Sequence, residues 1–282
     1  MKNLSLSRRE LLGSTAALGL AACAAPLISP TMAATQKRVP GIQLYTVRDA
    51  MATDVAATLQ AIAGIGYREV EFAGYFDHSP AQIRKMLDDF GLVSPSTHTD
   101  ARVMRDDPWP VIDAATEVGH QYVTVAWLRP EDRQSIDDYR NWAEVFNRAG
   151  EICKASGLRL AYHNHDFEFA SMQGEVPFDV LLSETDAGLV DIELDLFWVR
   201  TAGRDILDVI RQAPERITMS HIKDFDADGN MVDVGKGMID FAGILGDPAA
   251  VAIRHCFVEH DAPADPFQSV AFSHYSLKSI LD

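Results

Sequence analysis

The sequence predicts an α/β protein, built as one closed (β/α)8 barrel in a single domain, and three observations lead to that fold. Short β-branched or aromatic runs alternate with longer amphipathic runs along the chain, which is typical of parallel βαβ units. After an N-terminal leader of 34 residues, 248 of the 282 residues remain, close to the ~250 typical of such barrels. The first strand is not followed by G-x-G-x-x-G, so an open doubly wound sheet would lack its main nucleotide-binding signature.

Each element follows from a local pattern. The predicted strands are the β-branched or aromatic runs Gly41–Val47, Glu69–Phe72, Leu92–Ser96, Tyr122–Ala126, Arg159–Tyr162, Val190–Leu194, Ile217–His221 and His255–Glu259. The predicted helices are Val55–Gly64, Ala81–Phe90, Val111–Val118, Ile136–Ala155, Phe178–Ser183, Ile206–Arg211, Phe241–Leu245 and Gln268–Leu281. Gly66, Gly91, Gly119 and Gly157 each follow a helical run, where a left-handed cap is expected. Asp228-Gly229 predicts a turn rather than part of a calcium loop.

Residues 1–34 have the layout of an export signal, and the barrel domain is expected over residues 38–282. A basic start precedes the apolar run Leu11–Ala25, and Ser7-Arg8-Arg9-Glu10-Leu11-Leu12 resembles the twin-arginine motif. Thr31-Met32-Ala33 could precede ordinary cleavage, whereas Leu20-Ala21-Ala22-Cys23 resembles a lipobox that would make Cys23 a lipid anchor. We therefore expect an exported, periplasmic protein without a membrane span.

The charge and cysteine content exclude several classes of protein. With 25 Lys and Arg against 41 Asp and Glu, the formal net charge is −16, which argues against a nucleic-acid partner. A small neutral or sugar-like substrate is expected instead. Three cysteines cannot form a disulfide framework, and we expect Cys153 and Cys256 to be buried thiols.

Polar side chains recur at the predicted C-terminal ends of the strands, where the catalytic residues of barrels cluster. They are Glu71, His98, His163, His165, Asp195, His221, Lys223 and Glu259. Because side chains alternate along a strand, His163 shares a face with His165, and His221 shares one with Lys223. Carboxylates gathered there repel one another unless a cation compensates. Imidazole and carboxylate ligands without a thiolate suit one divalent ion: Mn²⁺, Mg²⁺, Co²⁺ or Zn²⁺.

Five motifs resemble the xylose-isomerase-like TIM barrels, which include sugar isomerases and epimerases, inosose dehydratases and endonuclease-IV-type enzymes. The motifs are Ile42–Arg48, Tyr162–Phe169, Glu193–Trp198, Ser220–Asp224 and Val234–Asp240. The resemblance covers roughly residues 38–282 and is strongest to exported sugar phosphate isomerase/epimerase proteins. The fifth strand is similar to that of inosose-dehydratase-like members, because it is rich in histidine.

The resemblance implies a ligand set for one divalent metal. Family members use Glu, Asp, His and Glu on strands five to eight, which implies Asp195, His221 and Glu259 here. The fifth-strand Glu is replaced by His163, and the next carboxylate is Glu168. Either Glu168 reaches back as the ligand or His163 takes its place; we assign Glu168, with His163 as the alternative. The departure puts the two-glutamate epimerase scheme in doubt.

The expected function is a metal-dependent sugar isomerase/epimerase or dehydratase acting on a keto-sugar or cyclitol. The ion would hold a carbonyl, Glu259 or Glu168 would move the neighbouring proton with His165 as partner, and Lys223 would stabilise developing negative charge. The expected substrate-binding residues are Glu71, His98, His163, Trp198 and Lys236. Two alternatives remain open: a non-catalytic exported sugar-binding barrel, and an endonuclease-IV-like phosphodiesterase, which would need several metals and an attraction to DNA.

Overall fold

A computed structural model describes residues 37–282, and it contains the closed parallel barrel that the alternating runs predict. The eight barrel strands are β1 (Pro40–Gln43), β2 (Glu69–Phe72), β3 (Val93–Thr99), β4 (Tyr122–Val125), β5 (Arg159–His163), β6 (Val190–Asp195), β7 (Ile217–Ile222) and β10 (His255–Val258). They are ordered β1-β10-β7-β6-β5-β4-β3-β2 around the barrel. The (β/α)8 fold is therefore confirmed. The predicted export signal, with its lipobox at Cys23, lies outside the described residues.

The eight predicted helices are present, with ends that agree within two residues. The described helices are α1 (Arg48–Thr53), α2 (Val55–Ile65), α3 (Pro80–Phe90), α4 (Ala101–Asp106), α5 (Trp109–Val118), α6 (Ile136–Ala155), α7 (Pro177–Glu184), α8 (Leu196–Thr201), α9 (Ile206–Gln212), α10 (Phe241–Gly246) and α11 (Pro266–Leu281). Sequence patterns missed α1, α4 and α8. Each has only six residues, too few for an apolar period to be recognised.

The ends of two strands differ from the predicted ends by more than one residue, and one short ribbon is additional to the eight predicted strands. The first strand was predicted to reach Val47, but it ends at Gln43 because the Gln43 side chain accepts a hydrogen bond from the backbone N–H of Tyr45 and starts a 3-10 turn. The third strand runs on to Thr99. After β7, strands β8 (Asp224–Phe225) and β9 (Met231–Val232) form an antiparallel ribbon around the predicted turn, where Gly229 has φ +83°.

Inside the barrel, an apolar layer lies below the polar strand ends. Tyr122, Ala161, Met219 and Phe257 form a small buried cluster separate from the main core. Gly41 is required beside it, because a Cβ there would lie 2.6 Å from the Phe257 ring. His163, His221 and Glu259 lie two positions after members of this cluster, so their side chains point into the barrel as well. The apolar layer therefore forms the floor of the site.

The cysteines of the described residues agree with the sequence analysis, and the length and polarity of the helices bear on its expectation about a membrane span. Cys153 and Cys256 are both buried free thiols, as predicted. Between residues 37 and 282, every helix is too short or too polar to cross a bilayer.

Candidate active site and metal centre

Strand register brings the polar residues of neighbouring strands to one level. His163 on β5 pairs with Glu193 on β6, and Asp195 on β6 pairs with His221 on β7. On the other side of the barrel, Gln43 on β1 pairs with Glu71 on β2. The C-terminal ends of four strands therefore direct acids and imidazoles into a common space, and β1 adds the amide of Gln43.

The mouth cluster consists of His163, Asp195, His221 and Glu259. Each residue offers one ligand atom, these atoms lie within 4.8 Å of one another, and all four residues are buried. Asp195 Oδ2 makes no hydrogen bond among the described residues, although the Lys223 ammonium lies 3.1 Å away, and burial raises the pKa of this carboxyl to about 6. A buried carboxylate oxygen without a hydrogen bond is costly unless cations or water satisfy it. Two imidazoles and two carboxylates are donors that suit a divalent transition metal, so the residues fit such an ion.

Lys223 places a built-in cation at the edge of the mouth cluster. Its Nζ lies 2.8 Å from Glu259 Oε2 and 3.1 Å from both Asp195 Oδ2 and Asp261 Oδ1. Burial disfavours the charged amine, but the three carboxylates outweigh burial and raise the pKa of Lys223. Burial likewise opposes ionisation of Glu259, whereas Lys223 and His221 lower the pKa of this carboxyl. Both groups are therefore charged at neutral pH.

A second group of four, His98, His163, Glu193 and His221, lies against the mouth cluster and shares two imidazoles with it. His98 Nε2 lies 2.7 Å from Glu193 Oε2 and 3.3 Å from Glu71 Oε2. Burial works against protonation of His98, but these carboxylates raise its pKa to about 10. The Glu71 side chain is fully buried, and its Oε2 is bonded to His221 and Gln43. Its expected role in orienting substrate hydroxyls stays a prediction.

Glu168 lies apart from both groups of ligand atoms. It sits in a 3-10 turn at Phe167–Phe169, where its carboxylate accepts hydrogen bonds from the Tyr162 hydroxyl at 2.5 Å and from the His165 backbone N–H at 2.8 Å. Burial raises the pKa of Glu168 to about 7. The residue beside Asp195 at the fifth strand is therefore His163, which was the alternative to Glu168.

Aromatic rings form one wall of the mouth around His165. Its imidazole stacks on Phe167 and Trp198 at centroid distances of 5.2 and 5.7 Å, and Trp127 lies 6.3 Å away. Burial and the nearby Lys223 lower the pKa of His165 to about 3, so its ring is neutral. His165 Nδ1 and Trp198 Nε1 are both buried without a hydrogen-bond partner in the described part of the chain.

Lys236 contacts groups outside these clusters. Its Nζ lies 2.7 Å from Asp233 and 4.3 Å from the centroid of the Phe272 ring, and the side chain is half exposed. The neighbouring glycines do not form a free anion cradle, because the backbone N–H groups of Gly235 and Gly237 both donate to Asp224 Oδ2 at 3.0 Å. Asp224 therefore anchors this loop.

Three polar residues of the site were not predicted as functional: Gln43, Glu193 and Asp224. Glu193 carries a sequence signal, since it shares a strand face with Asp195. Gln43 is a polar residue ending a buried strand, which is also a usable signal. The anchoring role of Asp224 depends on a loop eleven residues further along the chain, and a single sequence does not reveal that contact.

The fold and the acid–imidazole cluster at its C-terminal strand ends together define a (β/α)8 barrel with a candidate site for a divalent metal. The chain belongs to the xylose isomerase-like TIM barrel family, which it matches over residues 59–247.

Individual relatives agree with this assignment. An inosose dehydratase of Salmonella agona is 24% identical over 218 residues, covering 64% of this chain and 72% of the relative. A sugar phosphate isomerase/epimerase structure from Parabacteroides distasonis aligns with a TM-score of 0.76 at 24% identity, covering 88% of this chain and 98% of that one. The structure of the IOLI protein with a zinc atom aligns with a TM-score of 0.67 at 15% identity, over 86% and 98% of the two chains.

Proposed function

We propose that this protein is a divalent-metal-dependent dehydratase acting on a keto-cyclitol or keto-sugar. The observation that carries the proposal is the mouth cluster of His163, Asp195, His221 and Glu259, whose four ligand atoms lie within 4.8 Å of one another. The zinc atom in the IOLI structure and the inosose dehydratases among the relatives support it.

The mouth cluster would hold the ion beside the aromatic wall. A bound divalent ion would polarise a substrate carbonyl and make the neighbouring C–H more acidic. His165 is neutral, and its Nδ1 would take that proton. Because burial and the charge of Lys223 lower the pKa of His165, transfer of the Lys223 proton to the leaving hydroxyl would make His165 more basic in the same step. Lys223 would donate the one proton that the departing hydroxyl needs in order to leave as water, and it would become a neutral amine. Trp198 offers a flat apolar face and one free N–H for a ring with hydroxyl groups.

Dehydration fits these residues better than two-base epimerisation. Elimination needs one base for the C–H and one acid for the leaving hydroxyl, whereas the two-glutamate scheme needs carboxylates on opposite faces of the substrate. The fifth strand presents His163, and Glu168 is bonded to Tyr162 and the His165 backbone instead of facing the cluster. The second glutamate of the epimerase scheme is therefore missing from the cluster.

The test begins with metal-free protein and inosose, the keto-cyclitol of the dehydratase relatives. Mn²⁺, Co²⁺, Zn²⁺ and Mg²⁺ are added separately, and the reaction is followed by NMR in D₂O. We expect water loss that requires one ion and that EDTA abolishes. In the His165→Gln variant the rate should fall by about 10²–10⁴-fold, typical for loss of a positioned proton-transfer group.

Other outcomes would change the assignment. Deuterium exchange next to the carbonyl without water loss would identify an isomerase or epimerase. A protein that retains no stoichiometric ion, and whose stability and substrate conversion do not respond to EDTA, would be the non-catalytic sugar-binding barrel.

We also propose export of the folded protein, on the basis of the Arg8-Arg9 pair and the apolar run after it. Replacing both arginines with lysine should abolish export. Cys23→Ala should release the protein from the membrane fraction only if the lipobox is used.

A further inference from the structure

Behind the mouth cluster, four side chains close a ring of polar contacts. His221 Nε2 lies 2.8 Å from Glu71 Oε2 and 3.2 Å from Glu193 Oε2. His98 Nε2 lies 2.7 Å from the same Glu193 oxygen and 3.3 Å from the same Glu71 oxygen. Both glutamate side chains are fully buried, and the Oε2 atom of each contacts both histidines.

The ring holds a hydrogen on Nε2 of His221. An ionised carboxylate only accepts hydrogen bonds, so the Nε2 atom between Glu71 and Glu193 must be the donor. The other nitrogen, Nδ1, lies 2.8 Å from Glu259 Oε2 in the mouth cluster. Because Glu259 is also ionised, Nδ1 carries a hydrogen as well in the metal-free protein. An ion in the mouth cluster would displace the Nδ1 hydrogen, whereas Nε2 keeps its hydrogen between Glu71 and Glu193.

Glu71 is itself held in place by the first strand. Gln43 Nε2 donates to Glu71 Oε2 at 2.7 Å, and Gln43 Oε1 accepts from the backbone N–H of Tyr45 at 3.0 Å. The amide of Gln43 therefore has a fixed orientation and leaves the Glu71 oxygen pointing at His221. The same register that pairs Gln43 with Glu71 keeps this chain of bonds in line.

We infer that Glu71, oriented by Gln43, and Glu193 are positioning residues that fix His221 as its Nε2–H tautomer and make Nδ1 its metal-binding atom. This inference rests on the proposed function, since it assumes a divalent ion at the mouth cluster. Carboxylates that accept the second N–H of a ligating histidine hold the ring and raise its basicity. Losing such a partner costs about 10–100-fold in metal affinity.

The test compares two buried glutamates of one strand. Glu71→Gln keeps the shape of the side chain but removes its charge, and we expect Mn²⁺ binding, measured by calorimetry on the full chain, to weaken by about 10–100-fold. Glu69→Gln is the matched control. Glu69 is also buried and bonded to a histidine, His255, at 2.9 Å, but this pair lies two residues further from the mouth. Its Mn²⁺ affinity should stay within about threefold of wild type.

A second measurement reads the tautomer without any substitution. In wild-type protein with ¹⁵N-labelled histidine rings and bound Zn²⁺, the His221 spectrum should show a protonated Nε2 and a metal-bound Nδ1. This measurement on wild-type protein tests the inference even if the Glu71→Gln variant does not fold. The signal of His221 is identified by its loss in a His221→Asn variant.

Each outcome separates this inference from the proposed function. If wild-type protein binds Mn²⁺ and Glu71→Gln binds it equally well, or if zinc is found on His221 Nε2, the positioning role is refuted while the metal-dependent function stands. If wild-type protein binds none of the ions, both fail.

Discussion

The ammonium of Lys223 lies 2.8 Å from Glu259 Oε2, inside the group of carboxylates that we propose as metal ligands. It offsets part of the negative charge of Glu259 and Asp195 in the metal-free protein, and Asp261 offers it a third partner at 3.1 Å. A divalent ion bound to the same carboxylates would repel it. We therefore expect Lys223 to stabilise the metal-free protein at the expense of metal affinity.

Replacing Lys223 with methionine should lower the stability of the metal-free protein and tighten metal binding. The stability falls because buried carboxylates lose their counter-ion, and breaking such pairs typically costs about 3–5 kcal/mol. Thermal melts with and without Mn²⁺ should show a larger metal-induced rise in Tm than in wild type. Turnover should nevertheless fall by about 10²–10⁴-fold, because the proposed acid is gone.

Lys236→Met is the matched control for this variant. Lys236 is paired with a single carboxylate, that of Asp233, at a half-exposed position, where an ion pair contributes little. Metal affinity, Tm and turnover should all remain near wild type. A large loss of substrate affinity in Lys236→Met would support the substrate-binding role of Lys236 expected from the sequence. Unchanged Mn²⁺ affinity in Lys223→Met would refute the competition between Lys223 and the ion for the same carboxylates.

His163 and Glu168 can be distinguished as fifth-strand ligands by their effects on metal binding. His163→Gln should weaken Mn²⁺ binding by at least about tenfold, because it removes one of four converging donors. Glu168→Gln should leave the affinity within about threefold, since both carboxylate oxygens are already bonded elsewhere. Calorimetric titration of the two variants side by side decides the question, and the reverse order of effects would reinstate Glu168 as the ligand.

The sequence predicts the strands well because their side-chain pattern is local. The strand Glu69–Phe72 and the helix Ile136–Ala155 have the predicted bounds, since each carries a complete period of its own. The first strand was overestimated because its end depends on the Gln43 side chain bonding to the Tyr45 backbone. A hydrophobic run alone does not reveal that bond.

The convergence of Asp195, His221 and Glu259 was predictable from topology, because parallel barrel strands end at one face. The sequence did not predict how deep in the barrel each of these side chains lies. Glu71 lies on the expected face of its strand, but whether it meets substrate or another side chain depends on register with Gln43 and on packing against His221. The placement of Glu168 depends on one 3-10 turn of three residues, which is too short to be recognised from sequence patterns.

Glu168 should make the stability of the protein depend on pH between its unfolded and folded pKa values. Burial raises its pKa from the ordinary 4.5 to about 7, so the folded state binds the proton more tightly than the unfolded chain does. Stability should therefore fall as pH rises from about 4.5 to 7, by up to about 3 kcal/mol for this group. Urea unfolding at pH 5 and pH 8 should show a smaller loss in Glu168→Gln than in wild type.

Asp166, an exposed carboxylate two residues before Glu168, provides the control for the pH dependence of stability. Asp166→Asn removes an acid two residues away without touching the buried bonds of Glu168. Its loss of stability between pH 5 and pH 8 should equal that of wild type. If Glu168→Gln also retains the full loss, the ionisation of Glu168 does not contribute to it.

Trp198→Phe tests the aromatic wall, because it retains a flat ring and removes only the unpartnered indole N–H. If that N–H donates to a substrate hydroxyl, KM for inosose should rise about 5–10-fold, since a hydrogen bond contributes about 1 kcal/mol, with little change in kcat. Trp127→Phe is the control, because Trp127 is 39% exposed and its ring only borders His165 at 6.3 Å. Equal KM changes in the two variants would mean that the wall contributes packing alone. A fall in kcat confined to Trp198→Phe would instead indicate that the indole orients the reacting ring, because only interactions gained in the transition state alter kcat.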